Sequence, residues 1–256
     1  MYVRYPAILL ILSVLLSGCS TGINLFSVNQ DLELGRQTDV QIRNQPREFP
    51  ILSESRNPHA YAYLQGMVDD IVRRGNVPYR DVFPYKVTII DKDVRNAFAT
   101  AGGYLYVYTG LIKFLDTEDQ LAGVMAHEIA HAAERHVTEQ ATKQYGLSVL
   151  LDAVTKGDGG TLGQLGAGLI GLRFSRGAES EADARSVDYL CGTKHAADGA
   201  AGFFRKTGNS GAPPEFLSTH PSPTNRVEAI EQRAAESGCS VQASGNSTFR
   251  EIQRSL

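Results

Sequence analysis

The stretch HEIAH at residues 127–131 is the most informative part of this 256-residue chain, because its spacing indicates a helix that carries a metal site. On a helix, residues four apart lie about 40° apart around the axis, so His127 and His131 project from one face. Both rings can then reach the same metal ion. Glu128 lies beside that ion, where a carboxylate can accept a proton from a metal-bound water. The pattern therefore predicts a zinc hydrolase.

The sequence around HEIAH is typical of a helix. Residues 120–137 carry apolar side chains at helical spacing, and Thr117 with Gln120 forms a predicted capping box that starts the helix. The alternative is a chance match, because three fixed positions recur by composition in about one in a hundred chains of this length. The helical setting argues against chance.

A catalytic zinc site usually has three protein ligands and leaves the fourth position to water. We expect the third ligand in the acidic run that opens a second helix, where Glu179 and Asp183 are again four residues apart. Glu179 is the predicted ligand, and Asp183 would accept the free ring N–H of a zinc-bound histidine. Glu181 is predicted to face solvent. The alternative is a solvated helix amino terminus favoured by the helix dipole.

Taken together, HEIAH and the later Glu179-x-x-Ala182-Asp183 resemble the signature of the M48 family of zinc metallopeptidases. That family includes bacterial envelope proteases, membrane-embedded CAAX proteases and a mitochondrial quality-control peptidase. The resemblance runs from about residue 31 to residue 237. Further blocks resemble its soluble periplasmic branch, at residues 96–99, 102–103, 106–111 and 220–226.

The resemblance implies an α+β fold, with a mostly helical zincin-like domain and a small β-sheet or hairpin at the cleft. It also implies one Zn²⁺ per chain, bound by His127, His131 and Glu179. Glu128 would be the general base, and Asp183 would support the ligands.

Two β-rich runs precede the HEIAH helix, at residues 85–90 and 104–108. They predict a strand pair or hairpin-like element in which the tyrosines of the second run alternate with Leu105 and Val107. One face would pack on the domain and the other would approach the cleft. An exposed edge there could bind an extended peptide. The alternative is a simple sheet with tyrosines in the core.

By the same resemblance, the loop that carries His220 lies near the zinc. Either His220 or Arg226 would stabilise the oxyanion of the tetrahedral intermediate, or His220 would occupy the open zinc position and hold the enzyme latent. The remaining histidines, His59, His136 and His195, are predicted to be structural or surface residues. On a continuous helix His136 would lie about 140° from His131 and face away from the metal.

The amino terminus predicts a lipoprotein. An apolar stretch at residues 7–16 fits a signal-peptide core, and the residues that end at Cys19 resemble a bacterial lipobox. Cys19 would be lipidated after removal of residues 1–18. Because Ser20 follows it, we expect an outer-membrane anchor that faces the periplasm. The alternative is an ordinary secretory signal with an incidental cysteine.

Without the leader, Cys191 and Cys239 form an even pair in an oxidising compartment. We expect them to form a disulfide, the alternative being two free thiols. Formal net charge is only −3, and no basic cluster accompanies aromatic residues, so nucleic acid is not an expected partner.

We expect four segments: the signal peptide at 1–18, a lipid-anchored segment at 19–58, the catalytic domain at 59–240 and a C-terminal tail at 241–256. A glycine-rich stretch at residues 145–172 breaks the helical pattern. It has three interpretations: a lid beside the cleft, an apolar flap that contacts the membrane or a partner, or an ordinary connection between helices.

The predicted function is a zinc-dependent endopeptidase that cleaves misfolded or damaged envelope proteins with a zinc-activated water. Its expected partners are unfolded envelope substrates, the membrane through Cys19, and an outer-membrane assembly machine. The alternative is a chaperone-like or assembly factor of the periplasm with a latent zinc site. A third interpretation keeps the hydrolase and replaces proteins with cell-wall peptides.

Overall fold

The protein is described by a computed structural model that covers residues 23–145, 168–208, 215–221 and 225–256. Within these ranges the fold is α+β, as predicted, with helices packed around a small three-stranded sheet. The strands are β1 (Lys86–Ile90), β2 (Ala97–Ala99) and β3 (Tyr104–Tyr108). The helices are α1 (Val28–Arg43), α2 (Pro58–Arg74), α3 (Thr109–Phe114), α4 (Glu118–Ala133), α5 (Arg176–Leu190), α6 (Gly199–Gly208), α7 (Phe216–Thr219), α8 (Arg226–Glu236) and α9 (Ser247–Ser255).

The sheet has the strand order β1-β3-β2 and is mixed. β1 is parallel to β3, with Lys86 opposite Tyr104, whereas β2 is antiparallel to β3, with Ala97 opposite Val107. The predicted strand pair is therefore present, but its strands are parallel, so the hairpin alternative is wrong. Two parallel strands need a crossover connection, which brings the chain back to the end of the sheet where the first strand began. Here the return includes β2, which pairs with the far side of β3 and becomes an edge strand.

Tyr106, the central tyrosine of β3, lies against α1. Tyr106 is 1% exposed, stacks on Phe98 with ring centroids 4.7 Å apart, and donates a hydrogen bond to Asp39 of α1 at 2.8 Å. Leu105 and Val107 on the opposite face are also buried. Both faces of β3 are thus covered, and the alternative of core tyrosines describes Tyr106 correctly.

Helix α4 occupies the centre of the domain. Every residue from Leu121 to Ala133 is buried, because α5, α6, α2 and β2 pack around it. The Thr117 hydroxyl accepts from the Gln120 N–H at 3.2 Å, as the capping box predicts. The Gln120 side chain instead accepts from the Asp116 N–H at 2.8 Å, one residue before the expected partner. The predicted helix start is therefore correct, and only the partner of the Gln120 side chain differs from the prediction.

Helix α4 ends earlier than a continuous pattern would suggest. Arg135 has a φ of 60°, and a new helical stretch begins at residue 136 and continues to residue 145. The Arg135 guanidinium binds the buried Asp31 carboxylate and the Phe26 carbonyl. Residues 26 and 31, which belong to the segment at 19–58 that we expected to be lipid-anchored, thus pack directly on the end of α4.

Residues 241–256, which we expected to form a tail, instead contain the packed helix α9. Its Phe249 and Ile252 are buried in the main core. Just before it, Ser244 donates from its N–H and its hydroxyl to the Asp119 carboxylate, at 2.9 and 2.7 Å. The predicted disulfide between Cys191 and Cys239 is present and joins the end of α5 to the stretch between α8 and α9.

Several predictions fall outside the described residues. They concern the signal peptide at 1–18, Cys19 and nearly all of the glycine-rich stretch at 145–172. In the described part of the chain, no helix combines the length and the apolar character needed to cross a membrane.

Substitution of glycine by alanine should change the stability of the protein in opposite directions at two positions. At Gly123 of α4, an added Cβ would lie 2.1 Å from the Ala200 nitrogen of α6, whereas at Gly66 of α2 it would meet no described atom within 4 Å. Gly123→Ala should lower the free energy of unfolding by about 1–3 kcal/mol, because backbone atoms must separate. Gly66→Ala should raise it by about 0.5–1 kcal/mol through helix propensity. Urea unfolding measures both, and equal effects would contradict the packing of α4 on α6.

Candidate metal centre

Four side chains converge in the core between α4, α5 and the end of α7. His127, His131, Glu179 and His220 each offer one ligand atom, and these atoms all lie within 4.8 Å of one another. The Nε2 atoms of His127 and His131 are 3.0 Å apart, and each lies 3.5 Å from a Glu179 carboxylate oxygen. The structure thus brings together the three ligands predicted from the sequence, with His220 as a fourth member.

The packing of α4 against α5 produces this convergence. The Ser175 hydroxyl caps α5 by accepting from the Ala178 N–H at 3.1 Å, which places Glu179 in the first turn of that helix. One turn later Ala182 is fully buried in the core shared with α4. A methyl side chain allows the two helices to approach closely, so the Glu179 carboxylate reaches the two histidines of α4.

Asp183 occupies the position predicted for it. Its Oδ1 lies 3.0 Å from the Nδ1 of His127, on the side of the ring opposite to Nε2. If Nε2 binds a metal, Nδ1 carries the proton and donates it toward the carboxylate. Asp183 therefore orients the His127 ring for metal binding.

Arg226 contacts the same two carboxylates rather than an open cleft. Its Nε and Nη2 bind the Asp183 oxygens at 2.9 and 2.6 Å, and Nη2 lies 3.3 Å from Glu179 Oε2. The guanidinium carbon also lies 3.5 Å from the centroid of the Phe204 ring. The structure therefore favours a positioning role for Arg226 over the predicted oxyanion role. A sequence pattern does not reveal this pairing, because residues 183 and 226 lie on different helices.

His220 lies inside the cluster. Its Nδ1 is 3.1 Å from Glu179 Oε1 and 3.4 Å from His127 Nε2, while its Nε2 is 3.5 Å from Glu128 Oε1. The ring stacks on Phe216, with centroids 4.2 Å apart. Of the two predicted roles, occupation of a metal position agrees with these distances.

Burial and charge set the protonation of the cluster. Burial raises the pKa of the Glu128 carboxyl, although His220 and His127 oppose the effect. For His127, burial lowers the pKa, but Asp183 and Glu179 outweigh it and raise the pKa to about 9. Burial, followed by the neighbouring cation charges, lowers the pKa of His131. Hydrogen bonds from His127 and His220 hold the pKa of Glu179 low against its burial.

These features meet the requirements of a metal site. Two imidazole nitrogens and a carboxylate oxygen are a common ligand set for a divalent ion, with room for a fourth ligand. The Glu179 and Asp183 carboxylates are buried next to the cluster. Buried carboxylates need compensating positive charge, which a divalent ion supplies together with Arg226. The residues present therefore fit a metal ion held by His127, His131 and Glu179.

His136 lies beside the ligand cluster, whereas a continuous helix predicted that it would face away from the metal. His136 is 3% exposed, and its Nδ1 lies 2.9 Å from the Nδ1 of His131. Glu181 is half-buried, with Oε2 3.5 Å from His136 Nε2. The prediction assumed one continuous helix, whereas the chain turns at Arg135. By contrast His59 is exposed, and His195 is buried between Glu118 and Asp119, as expected for surface and structural residues.

Helix α8 offers a matched pair of arginines. Arg226 is buried against two carboxylates, whereas Arg233 forms a partly exposed pair with Asp188. Arg226→Met should cost about 3–5 kcal/mol of unfolding free energy in metal-free protein, because it leaves buried carboxylates unpaired. Arg233→Met should cost less than about 1 kcal/mol. Urea unfolding with a chelator compares them, and equally small losses would contradict the structural role of Arg226.

Comparison with known proteins agrees with this site. The profile of peptidase family M48 matches residues 58–234. The beta-barrel assembly-enhancing protease of Yersinia pestis is 28% identical over 236 residues, covering 85% of this chain and 46% of that protein. The metalloprotease YcaL of Escherichia coli (strain K12) is 31% identical over 160 residues, covering 59% of this chain and 62% of that protein. The mitochondrial metalloendopeptidase OMA1 of Schizosaccharomyces pombe is 32% identical over 156 residues, covering 58% and 46% of the two chains.

This chain spans about half the length of the assembly-enhancing proteases that it matches. The family profile nevertheless covers more than half of the chain, including both motifs and the His220 loop. The predictions of an M48-type fold and of membership in this family are confirmed. The chain belongs to peptidase family M48.

Proposed function

We propose that the protein is a zinc-dependent endopeptidase that hydrolyses peptide bonds with an activated water. The observation that carries this proposal is the buried convergence of His127, His131 and Glu179 beside Glu128. Zinc, when bound by the three ligands, would polarise the scissile carbonyl and acidify water.

Glu128 then performs the proton transfers. Its carboxylate lies next to the ligand cluster, and its pKa is raised by burial, so it is a stronger base than an exposed carboxylate. It would accept the proton of the attacking water and return it to the leaving amine. Asp183 and Arg226 keep the ligands in place during both transfers.

The edge strand β2 supports a peptide substrate. Among the described residues β2 pairs with β3 on one side, and it also contacts α4, which carries HEIAH. A substrate strand added to its other edge would gain main-chain hydrogen bonds without a strong sequence requirement. A cavity of about 430 Å³ lies beside this strand and is lined in part by Asn96, Phe98, Tyr108 and Thr219. These features suit an unfolded or locally extended chain.

We infer that the substrates are misfolded or damaged envelope proteins, met at the periplasmic face of a bacterial outer membrane. The name of the assembly-enhancing relatives supports an envelope role, with an outer-membrane assembly machine as a partner. The disulfide supports an oxidising compartment. Attachment through a lipid on Cys19, after removal of residues 1–18, is part of the same proposal.

A second candidate function rests on His220. Because His220 offers a ligand atom within the cluster, four protein groups could fill a four-coordinate metal site. A chaperone-like or assembly factor with a latent zinc site would have this arrangement. The same contact would also suit a protease that is opened by a substrate or a partner.

Glu128→Gln separates the two candidates. It should lower casein hydrolysis by about 100-fold or more, because general-base transfer contributes about that factor. Bound zinc and fold should be unchanged, since Glu128 is not a predicted ligand. Cleavage assays on unfolded casein, with and without a chelator, measure the effect. Zinc-loaded wild-type protein that shows no chelator-sensitive cleavage would favour the binding factor.

His220→Ala tests the latent state. If His220 blocks the site in about 90% of molecules, its removal should raise peptide turnover about tenfold, because the competent fraction rises from one tenth to nearly all. Zinc content should remain near one per chain, since three ligands persist. His59→Ala, at an exposed histidine, is the control. A fall in turnover would instead assign His220 to oxyanion stabilisation.

A further inference from the structure

The two histidines of HEIAH differ in what binds their outer ring nitrogens. The Nδ1 of His127 faces the Asp183 carboxylate at 3.0 Å. The Nδ1 of His131 faces another imidazole nitrogen, the Nδ1 of His136, at 2.9 Å. Both His131 and His136 are almost completely buried, so water does not easily replace this contact.

The direction of the hydrogen bonds follows from which His131 nitrogen faces the metal position. Its Nε2 lies in the ligand cluster and must present a lone pair, so its Nδ1 carries the proton. The Nδ1 of a neutral His136 then accepts, and its Nε2 carries the remaining proton. That Nε2 points toward Glu181, whose Oε2 is 3.5 Å away. One chain of donors and acceptors therefore runs from His131 through His136 to Glu181.

The break in the helix makes this chain possible. On a continuous α4, His136 would face away from His131. Arg135 adopts a φ of 60°, a backbone conformation that costs free energy in residues other than glycine. Its guanidinium contacts with Asp31 and Phe26 hold that turn in place. The strained residue is the one that redirects His136 toward the ligand.

Stacking alone does not explain the arrangement. The Phe174 ring lies nearly parallel to the His131 ring, with centroids 4.0 Å apart, and restricts the tilt of the imidazole. A stacked ring does not distinguish Nδ1 from Nε2, because it contacts the flat face of the imidazole, which has the same shape in either tautomer. The His136 acceptor distinguishes them, since it binds only a protonated Nδ1.

We propose that His136 is a positioning residue for the metal ligand His131, which it holds in the Nδ1–H tautomer, with Glu181 completing the hydrogen-bond chain. The proposal rests on the metal site of the proposed function. It assigns different supports to the two ligands, a charged carboxylate for His127 and a neutral imidazole for His131. The second support orients the ligand without adding a further buried charge directly against it.

Two variants of His136 separate hydrogen bonding from packing. His136→Leu keeps a similar volume but removes the acceptor, whereas His136→Asn places an amide oxygen near the position of Nδ1. His195→Leu is the control, because His195 is equally buried near the other end of α4 and lies among carboxylates. Zinc affinity is measured on the purified full-length chain by competition with a chromophoric chelator.

We expect His136→Leu to weaken zinc binding about 10- to 100-fold, the usual cost of losing a hydrogen-bond partner of a metal ligand. His136→Asn should recover most of the affinity, and His195→Leu should remain close to wild type. Wild-type affinity in a folded His136→Leu protein would overturn the proposal. So would an Asn variant no better than Leu, because packing would then explain the loss.

A spectroscopic test does not depend on folding of the variants. In ¹⁵N-histidine-labelled wild-type protein, an N–H···N hydrogen bond between His131 and His136 produces a scalar coupling between their Nδ1 nuclei. We expect that coupling with and without zinc, and its absence would overturn the proposal. If the chain bound no zinc but showed the coupling, the proposed function would fail while the contact between the histidines stood.

Discussion

The site depends on one constraint, which is that a polar group removed from water must find a partner within the protein. His127, His131, Glu179 and Asp183 are all buried. Each therefore needs a hydrogen-bond or charge partner, and the partners come from elements that are distant in sequence. Helix α8 supplies Arg226 to the carboxylates, and the stretch after α4 supplies His136 to His131.

The same constraint explains why both ends of α4 are held by segments outside the matched family region. At the start, Asn246 accepts from the Glu118 N–H at 2.7 Å, and Ser244 binds Asp119. These contacts satisfy or complement the free N–H groups and positive dipole of a helix start. At the far end, Asp31 of α1 binds Arg135, which follows the last turn of α4. The segments before residue 58 and after residue 234 are thus part of the structure that positions the ligands.

In the proposed function, the sheet contributes the edge strand β2, rather than one of its faces, to substrate binding. Because β1 and β3 run parallel, the chain must return between them, and the return places β2 on the outer side of β3. Helix α4 packs beside β2. A peptide paired with this edge would lie on a strand that contacts the HEIAH helix, so one topological feature would link substrate binding to the proposed chemistry. Tyr106 of β3 binds Asp39 of α1.

The sequence by itself determined the features that depend on local spacing. Residues four apart on a helix share a face, so spacing indicated that HEIAH could bind a metal. For Glu179 and Asp183, spacing left a solvated helix start as an alternative, and the resemblance to the M48 family favoured a third ligand and its support. The start of α4 at Thr117 and the pairing of Cys191 with Cys239 also followed from short patterns and composition. The resemblance to the M48 family rested on the same motifs.

Tertiary structure decided everything that required two distant segments to meet. The parallel pairing of β1 with β3 depends on a crossover that alternation does not encode. The turn at Arg135 depends on Asp31, which is 104 residues away, because a non-glycine residue holds a positive φ only when other contacts offset its cost. That turn moved His136 from a predicted surface position to the side of His131. Arg226 likewise became a partner of Asp183 because α8 packs against α5. Local spacing indicated the candidate ligands, whereas long-range packing determined which groups contact them.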